Sequence, residues 1–253
     1  MPFGAFHRHG FARVGAATPR VALADPLENA RSTLQLARRA ADDGADLVVF
    51  PELGLSGYSI DDLHMQDGLL NAVEDAVAAV VEGTRDLSSV LLVGAPLRRK
   101  GRLYNCAVAI SRGRNLGVVP KSYLPNYREY YEKRWFAPGI GLAGLTVELA
   151  GQDVPFGPDL LFAATDLADF VFHVEICEDY WAPTPPSTAG ALAGANVLCN
   201  LSASNITVGK SAERHLLAAS QSMRCMAAYV YAAAGAGEST NDVAWDCLLY
   251  TSD

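Results

Sequence analysis

The chain has 253 residues, 50% of them hydrophobic and 19% charged, with a formal net charge of −8. That apolar fraction supports a sizeable core and excludes a disordered chain, and the acidic balance, with no basic patch interleaved with aromatics, argues against non-specific nucleic-acid binding. No apolar run reaches the ~18 residues of a membrane span, and the N-terminus lacks the pattern of a signal peptide.

Residues 26 to 43 place Leu27, Leu34, Leu36, Ala37 and Ala40 at roughly helical spacing, with Gly44 as a stop, and predict an amphipathic helix. The run 46 to 50 predicts a short buried strand. A second helix is expected over about 67 to 84 and another buried strand over 88 to 96. Residues 103 to 121 read as two strands joined at 112 to 115, a hairpin signal. Residues 122 to 160 are rich in Tyr, Pro and Gly and hold no steady period. They predict mostly a long functional loop, with one helical turn near 128 to 134. Strands follow at 169 to 177 and 195 to 204, then a helix at 211 to 228 and a strand at 229 to 235. Alternating strands and helices give an α/β class, with hairpins making the sheets mixed. The tail, DVAWDCLLYTSD, starts like a strand and then stops.

Cys106, Cys177, Cys199, Cys225 and Cys247 form no CxxC pair and no zinc-ligand spacing, so no metal site is expected. A scattered odd set reads as reduced thiols in a cytoplasmic protein. Three residues close predicted strands: Glu52 ends VVFPE, Lys121 ends GVVPK and Cys177 ends FHVEIC. Strand ends gather function in α/β folds. A lysine beside Cys177 would favour the thiolate and offset the adjacent Glu178 and Asp179. Glu52 could take the thiol proton and later activate water, with a thioester between the two steps. Each residue also has a bland reading, as a buried small hydrophobe, a solvated strand end and a capping acid; spacing alone leaves both open. His173 reads as a core residue, His64 and His215 as surface or partly packed, and Cys106, Cys199 and Cys225 as core. Asp179 could anchor the turn after Cys177 through backbone N–H groups.

FPELGLSGY (50 to 58), PKSYLPNYREYYEKRWFAPG (120 to 139), ICEDYW (176 to 181), NLSASNITVGK (200 to 210) and AAYVYAAAGAGESTNDVAWD (227 to 246) occur in order. With these motifs the chain resembles the nitrilase, or carbon–nitrogen hydrolase, superfamily, and within it the glutaminase (amidotransferase) domains of glutamine-dependent NAD synthetases. The resemblance implies a nitrilase-like α-β-β-α sandwich of two mixed sheets flanked by helices, over residues 1–246. It implies Glu52 as general base, Lys121 as oxyanion support, Cys177 as nucleophile and a second glutamate at Glu132, with Glu129 as the competing choice. Tyr58, Tyr127, Trp181, Ser204 and Lys210 are implied as the glutamine pocket.

The implied reaction is glutamine hydrolysis through a Cys thioester, supplying ammonia for amidation of nicotinic acid adenine dinucleotide to NAD. The glutaminase step needs no cofactor. ATP and Mg2+ belong to a downstream synthetase domain whose SGG-x-DS loop is absent from this sequence. Similar domains continue past residue 246 with glycine after Trp-Asp, where Cys247 stands here, so the 1–246 glutaminase domain is expected to be C-terminally incomplete, with 247–253 as non-native tail. A homo-oligomer is the family expectation. The alternatives are a stand-alone amidase or carbamoylase and an inactive fragment.

Overall fold

The computed structural model describes residues 6–238 and 243–252. In chain order its strands and helices are β1 (Val14–Ala16), α1 (Pro26–Asp42), β2 (Leu47–Val49), α2 (Asp67–Gly83), β3 (Val90–Arg99), β4 (Arg102–Ser111), β5 (Arg114–Pro120), β6 (Leu145–Leu149), β7 (Gln152–Phe156), β8 (Leu161–Ala163), β9 (Val171–Ile176), α3 (Pro186–Leu192), β10 (Val197–Ser202), α4 (Lys210–Cys225), β11 (Ala228–Ala233) and β12 (Leu249–Ser252). One sheet has the order β1-β2-β3-β4-β5-β7-β6 and the other β12-β11-β10-β9-β8. Both mix parallel and antiparallel pairs.

The strand pleat sorts the core into three layers, because alternate residues face opposite ways. Val48, Leu91, Val93 and Val108 face outward onto α1 and α2. Leu47, Val49, Leu92, Ala107 and Val119 face inward, against Val174, Ile176, Cys199, Leu201 and Val230 of the second sheet. The other side of that second sheet, with Leu198, Tyr229 and Tyr231, is covered through Ala218 of α4 and Ala191 of α3. The result is the α-β-β-α sandwich of two mixed sheets. Each fully buried Val or Leu contributes roughly 1.5–3 kcal/mol.

Local signals explain the helix boundaries. Asp25 caps α1 by accepting the Glu28 N–H, Pro26 occupies its first turn, and Gly44 lies just beyond it at φ +80°. The buried face of α1 is Pro26, Asn29, Ala30, Thr33 and Ala37, whereas Leu27 is 43% exposed. Ala37 is buried and Leu34, Leu36 and Ala40 pack against the same core as expected, so of the expected stripe only Leu27 turns away. Asn29 is buried because it bonds Ala22 through N–H and O, and Leu55 through O.

The region 122 to 160 departs from the expected long loop. It holds one 3-10 turn (Glu132–Arg134) and the hairpin of β6 and β7. Val147, Leu149, Val154 and Phe156 are buried in alternation, and Ala150 and Gly151 turn at φ +49° and +69°. The strands β1 and β8 and the helix α3 were not foreseen either; each has seven residues or fewer. His64 is fully buried against Trp135 and Phe136 rather than at the surface, and burial lowers its pKa to about 4. Cys225 is only partly buried. Residues 249–252, inside the expected tail, pair antiparallel with β11 at the sheet edge. Residues 239–242 of the last motif lie outside the described residues. Among the described residues no helix is long and apolar enough to cross a membrane.

Gly94 on β3 shows how closely the sheet approaches the turn after β2. A Cβ there would stand 2.3 Å from the Leu53 nitrogen and 2.8 Å from the Glu52 carbonyl carbon. Backbone cannot yield as a side-chain tip does. Gly94→Ala is expected to cost about 1–3 kcal/mol in a urea unfolding experiment, and to lower activity by more than the unfolded fraction, because Glu52 is displaced.

Candidate active site

Glu52 lies three residues beyond β2, after Phe50 and Pro51, and is 1% exposed. Its Oε1 accepts from Lys121 Nζ and from Asn105 Nδ2, both at 2.6 Å, and its Oε2 accepts from the Ala203 N–H at 2.8 Å. Lys121 follows β5 and is equally buried. Its Nζ also donates to Glu132 Oε1 at 2.8 Å. The Tyr58 hydroxyl donates to the same Glu132 oxygen at 2.8 Å. The second glutamate beside Lys121 is thus Glu132. Glu129 instead accepts from Asn205 Nδ2 at 2.7 Å in a cavity wall.

Burial alone would depress the Lys121 ammonium, yet the Glu132 and Glu52 carboxylates hold it well above its ordinary value. Burial pushes Glu132 up to about 7; Lys121 opposes this and Glu52 adds to it. One positive charge is shared by two buried acids, so the second acid carries its proton more readily than a solvated one.

Cys177 begins a 3-10 turn, Cys177–Trp181, at the end of β9. Its φ is +45°, a left-handed conformation that costs a non-glycine residue about 1–3 kcal/mol and concentrates at functional sites. Its N–H donates to Asn200 Oδ1 at 3.2 Å. Asp179 spends its carboxylate on backbone: it accepts from the N–H groups of Ile176 at 2.9 Å, Ser122 at 3.0 Å and Tyr123 at 2.8 Å. It anchors the turn after Cys177, and the strap after Lys121 as well. Glu178 accepts from the Tyr127 hydroxyl at 2.8 Å.

Burial and the Glu52 carboxylate push the Cys177 thiol up, while Lys121 and a hydrogen bond with Ser202 draw it down. The net shift is upward. Lys121 favours the thiolate, as expected, but burial and Glu52 outweigh it. The lysine charge is committed to two glutamates, and the sulfur rests as a thiol that needs a base.

Cys177 opens onto a cavity of about 370 Å³, lined among others by Tyr127, Glu129, Glu178, Trp181, Ser204 and Lys210. Of the expected pocket residues, Tyr127, Trp181, Ser204 and Lys210 meet there; Tyr58 is turned to Glu132 and supports it from behind. Lys210 is the first residue of α4. Its ammonium reaches Asn205 Oδ1 and lies 5.5 Å from the Tyr130 ring and 5.9 Å from the Trp181 ring. Partial burial lowers its pKa. Tyr130 donates to Asn205 Oδ1 at 2.7 Å. Sequence reasoning missed Asn105, Asn200, Ser202 and Asn205, although Asn105 and Asn200 interrupt the apolar runs LYNCAV and VLCNLS. A polar residue in a buried strand signals a bonded partner.

The profile of the carbon–nitrogen hydrolase family matches residues 12–248. A glutamine-dependent NAD(+) synthetase of Mycobacterium tuberculosis is 61% identical over 246 residues, 97% of this chain and 36% of that protein. The chain thus spans about a third of that relative's length. The crystal structure of a glutamine-dependent NAD(+) synthetase from Cytophaga hutchinsonii superposes with a TM-score of 0.82 at 28% identity, covering 95% of this chain and 38% of that one. An amidase of the nitrilase superfamily from Nesterenkonia superposes with a TM-score of 0.73 at 18% identity, covering 95% and 82%, a likeness of fold alone.

The raised Glu132 gives a sign that can be checked. Its folded pKa lies above the unfolded value, from 4.5 to about 7, so the native state holds the proton longer. Stability carried by that proton is lost as pH rises through this window. Glu132→Gln removes the loss. Relative to wild type it should gain stability between pH 5 and pH 8, by up to on the order of 3 kcal/mol, in paired urea titrations. A difference that does not change with pH contradicts the shared-charge account.

Proposed function

The chain belongs to the carbon–nitrogen hydrolase family, and from that premise we propose that it hydrolyses the side-chain amide of glutamine through a thioester on Cys177. The observation that carries this reading is a thiol at the mouth of a charged cavity, served by Lys121 and Glu52. In this mechanism Glu52 accepts the Sγ proton as the sulfur attacks the amide carbon. Lys121 Nζ, fixed by its two carboxylates, donates to the oxygen on which charge develops. The proton on Glu52 passes to the amide nitrogen, the C–N bond breaks and ammonia leaves. Glu52 then takes a proton from water as it attacks the thioester, and glutamate and the free thiol result. Glu132 keeps Lys121 aimed, and Tyr58 keeps Glu132 aimed.

The cavity suits a free amino acid. Lys210 and the N-terminal end of the 16-residue helix α4 favour an α-carboxylate. Glu129 and Glu178, which also line the cavity, offer carboxylates to an α-ammonium. A general amidase would not require this pairing, and the likeness to an amidase is one of fold alone. The ammonia would serve an amidating NAD synthetase, the activity named for the relatives. We place this chemistry in the cytoplasm, in a homo-oligomer, with the synthetase domain joined downstream.

Glutamate release from glutamine, measured against asparagine and carbamoyl amines, tests the reading; equal turnover of all three favours a general amidase. Cys177→Ala should lower the rate at least about a thousandfold, and an undiminished rate sinks the thioester. Lys210→Met should raise KM for glutamine by about 10- to 100-fold with little change in kcat, because a charge-assisted bond to the substrate is lost in ground and transition states alike.

A further inference from the structure

The second glutamate is oriented from one side. Glu132 Oε1 accepts from Lys121 Nζ and from the Tyr58 hydroxyl, both at 2.8 Å, while Oε2 is buried with no hydrogen-bond partner among the described residues. Two donors on one oxygen thus fix the carboxylate, and one of them is a phenol at the far end of its side chain. A small rotation of the Tyr58 backbone is amplified at that hydroxyl. Tyr58 lies in the irregular segment between β2 and α2, where no strand ladder holds the backbone.

What holds it comes from the other sheet. The Tyr58 N–H donates to Glu238 Oε1 at 2.7 Å and the Ser59 N–H donates to Glu238 Oε2 at 3.0 Å. A carboxylate has an acceptor for each of these adjacent amides, and both bonds are charge-assisted. Glu238 lies five residues beyond β11 and reaches Tyr58 through a tight turn. Its N–H donates to the Gly235 carbonyl at 3.1 Å, and the Ala236 carbonyl accepts from the Val21 N–H at 2.9 Å. Gly237, between them, sits at φ +100°, and a Cβ there would overlap the Val21 backbone. The glycine lets the turn lie against Val21 and so delivers the carboxylate. Trp245, further along the same stretch, stands edge-on to the Tyr58 ring with centroids 5.4 Å apart.

We propose that Glu238 is a positioning residue for the reaction: it clamps the Tyr58 and Ser59 amides so that the Tyr58 hydroxyl holds Glu132, and Glu132 holds Lys121, in line. The proposal rests on Lys121 serving the thioester chemistry of Cys177. Glu238 touches no reacting atom, and it does not line the cavity that takes the substrate. Its loss therefore falls on kcat rather than on KM, and a misplacement of about 1 Å can cost up to about a hundredfold in rate.

The test is a double-mutant cycle in glutamate release, with rates expressed per folded molecule by circular dichroism. Glutamine at 238 can accept only one of the two amides. Glu238→Gln should lower kcat about tenfold with KM for glutamine within about twofold, and Tyr58→Phe should do the same. The double variant should be no slower than the poorer single one, because both act through one hydroxyl. Glu238→Asp, with both acceptors one methylene short, takes the place of Glu238→Gln in the cycle if that variant does not fold. Hydrogen exchange at the Tyr58 and Ser59 amides should quicken in the position 238 variant, and unchanged exchange overturns the clamp whatever the kinetics. A wild-type kcat in that variant overturns the role. Losses that multiply to about a hundredfold in the double variant overturn the route through Tyr58. A wild type that releases no glutamate overturns the glutaminase reading, and this role with it.

Discussion

Lys121 carries its charge into a site where its side chain has no exposure at all, and so do Glu52 and, nearly, Glu132. Taking such ions out of water costs several kcal/mol each unless their partners are close and correctly oriented. The fold meets that demand with residues far apart in sequence: one glutamate after β2, one in the segment after β5, and supporting donors from Asn105, Ala203 and Tyr58. The same bonds that make the burial tolerable fix Nζ in space, and a fixed donor stabilises charge in a transition state without reorganising. Removing the lysine would leave two buried carboxylates uncompensated.

The acids around Cys177 divide according to what they touch. Glu52 meets a cation and two N–H donors, Asp179 meets three backbone amides, and Glu178 meets a phenol. Two carboxylates can therefore follow a buried cysteine in sequence while being bonded elsewhere. The thiol is governed by burial and by Glu52.

Much of the fold was legible wherever one pattern dominated. The helices over 26 to 42 and 67 to 83 and the central strands follow from periodicity, capping and Gly44. Leu27 misled because a leucine near a helix start need not face the core; Ala30, Thr33 and Ala37 lie closer to the sheet and suffice. The hairpin of β6 and β7 carried an alternating pattern too short to stand out among prolines and glycines. Glu52, Lys121 and Cys177 were visible as strand ends, but their convergence is a property of strand order, which no local pattern carries. The choice between Glu132 and Glu129 turned on which side chain faces inward over a few irregular residues, where there is no period to read. Ser202 was hidden because serine is unremarkable in a sequence, and its partner Tyr231 comes from another strand.

Asp179 also has a mechanical meaning. Its carboxylate holds one amide from β9 and two from the strap after β5, so it stitches the two sheets together at the rim where the chemistry lies. The turn at Cys177 and the strap after Lys121 are thus tied through one carboxylate. They separate when the carboxylate lets go, in a single local opening. The amides of Ser122, Tyr123 and Ile176 share this one acceptor group, so their protection from hydrogen exchange is expected to rise and fall together.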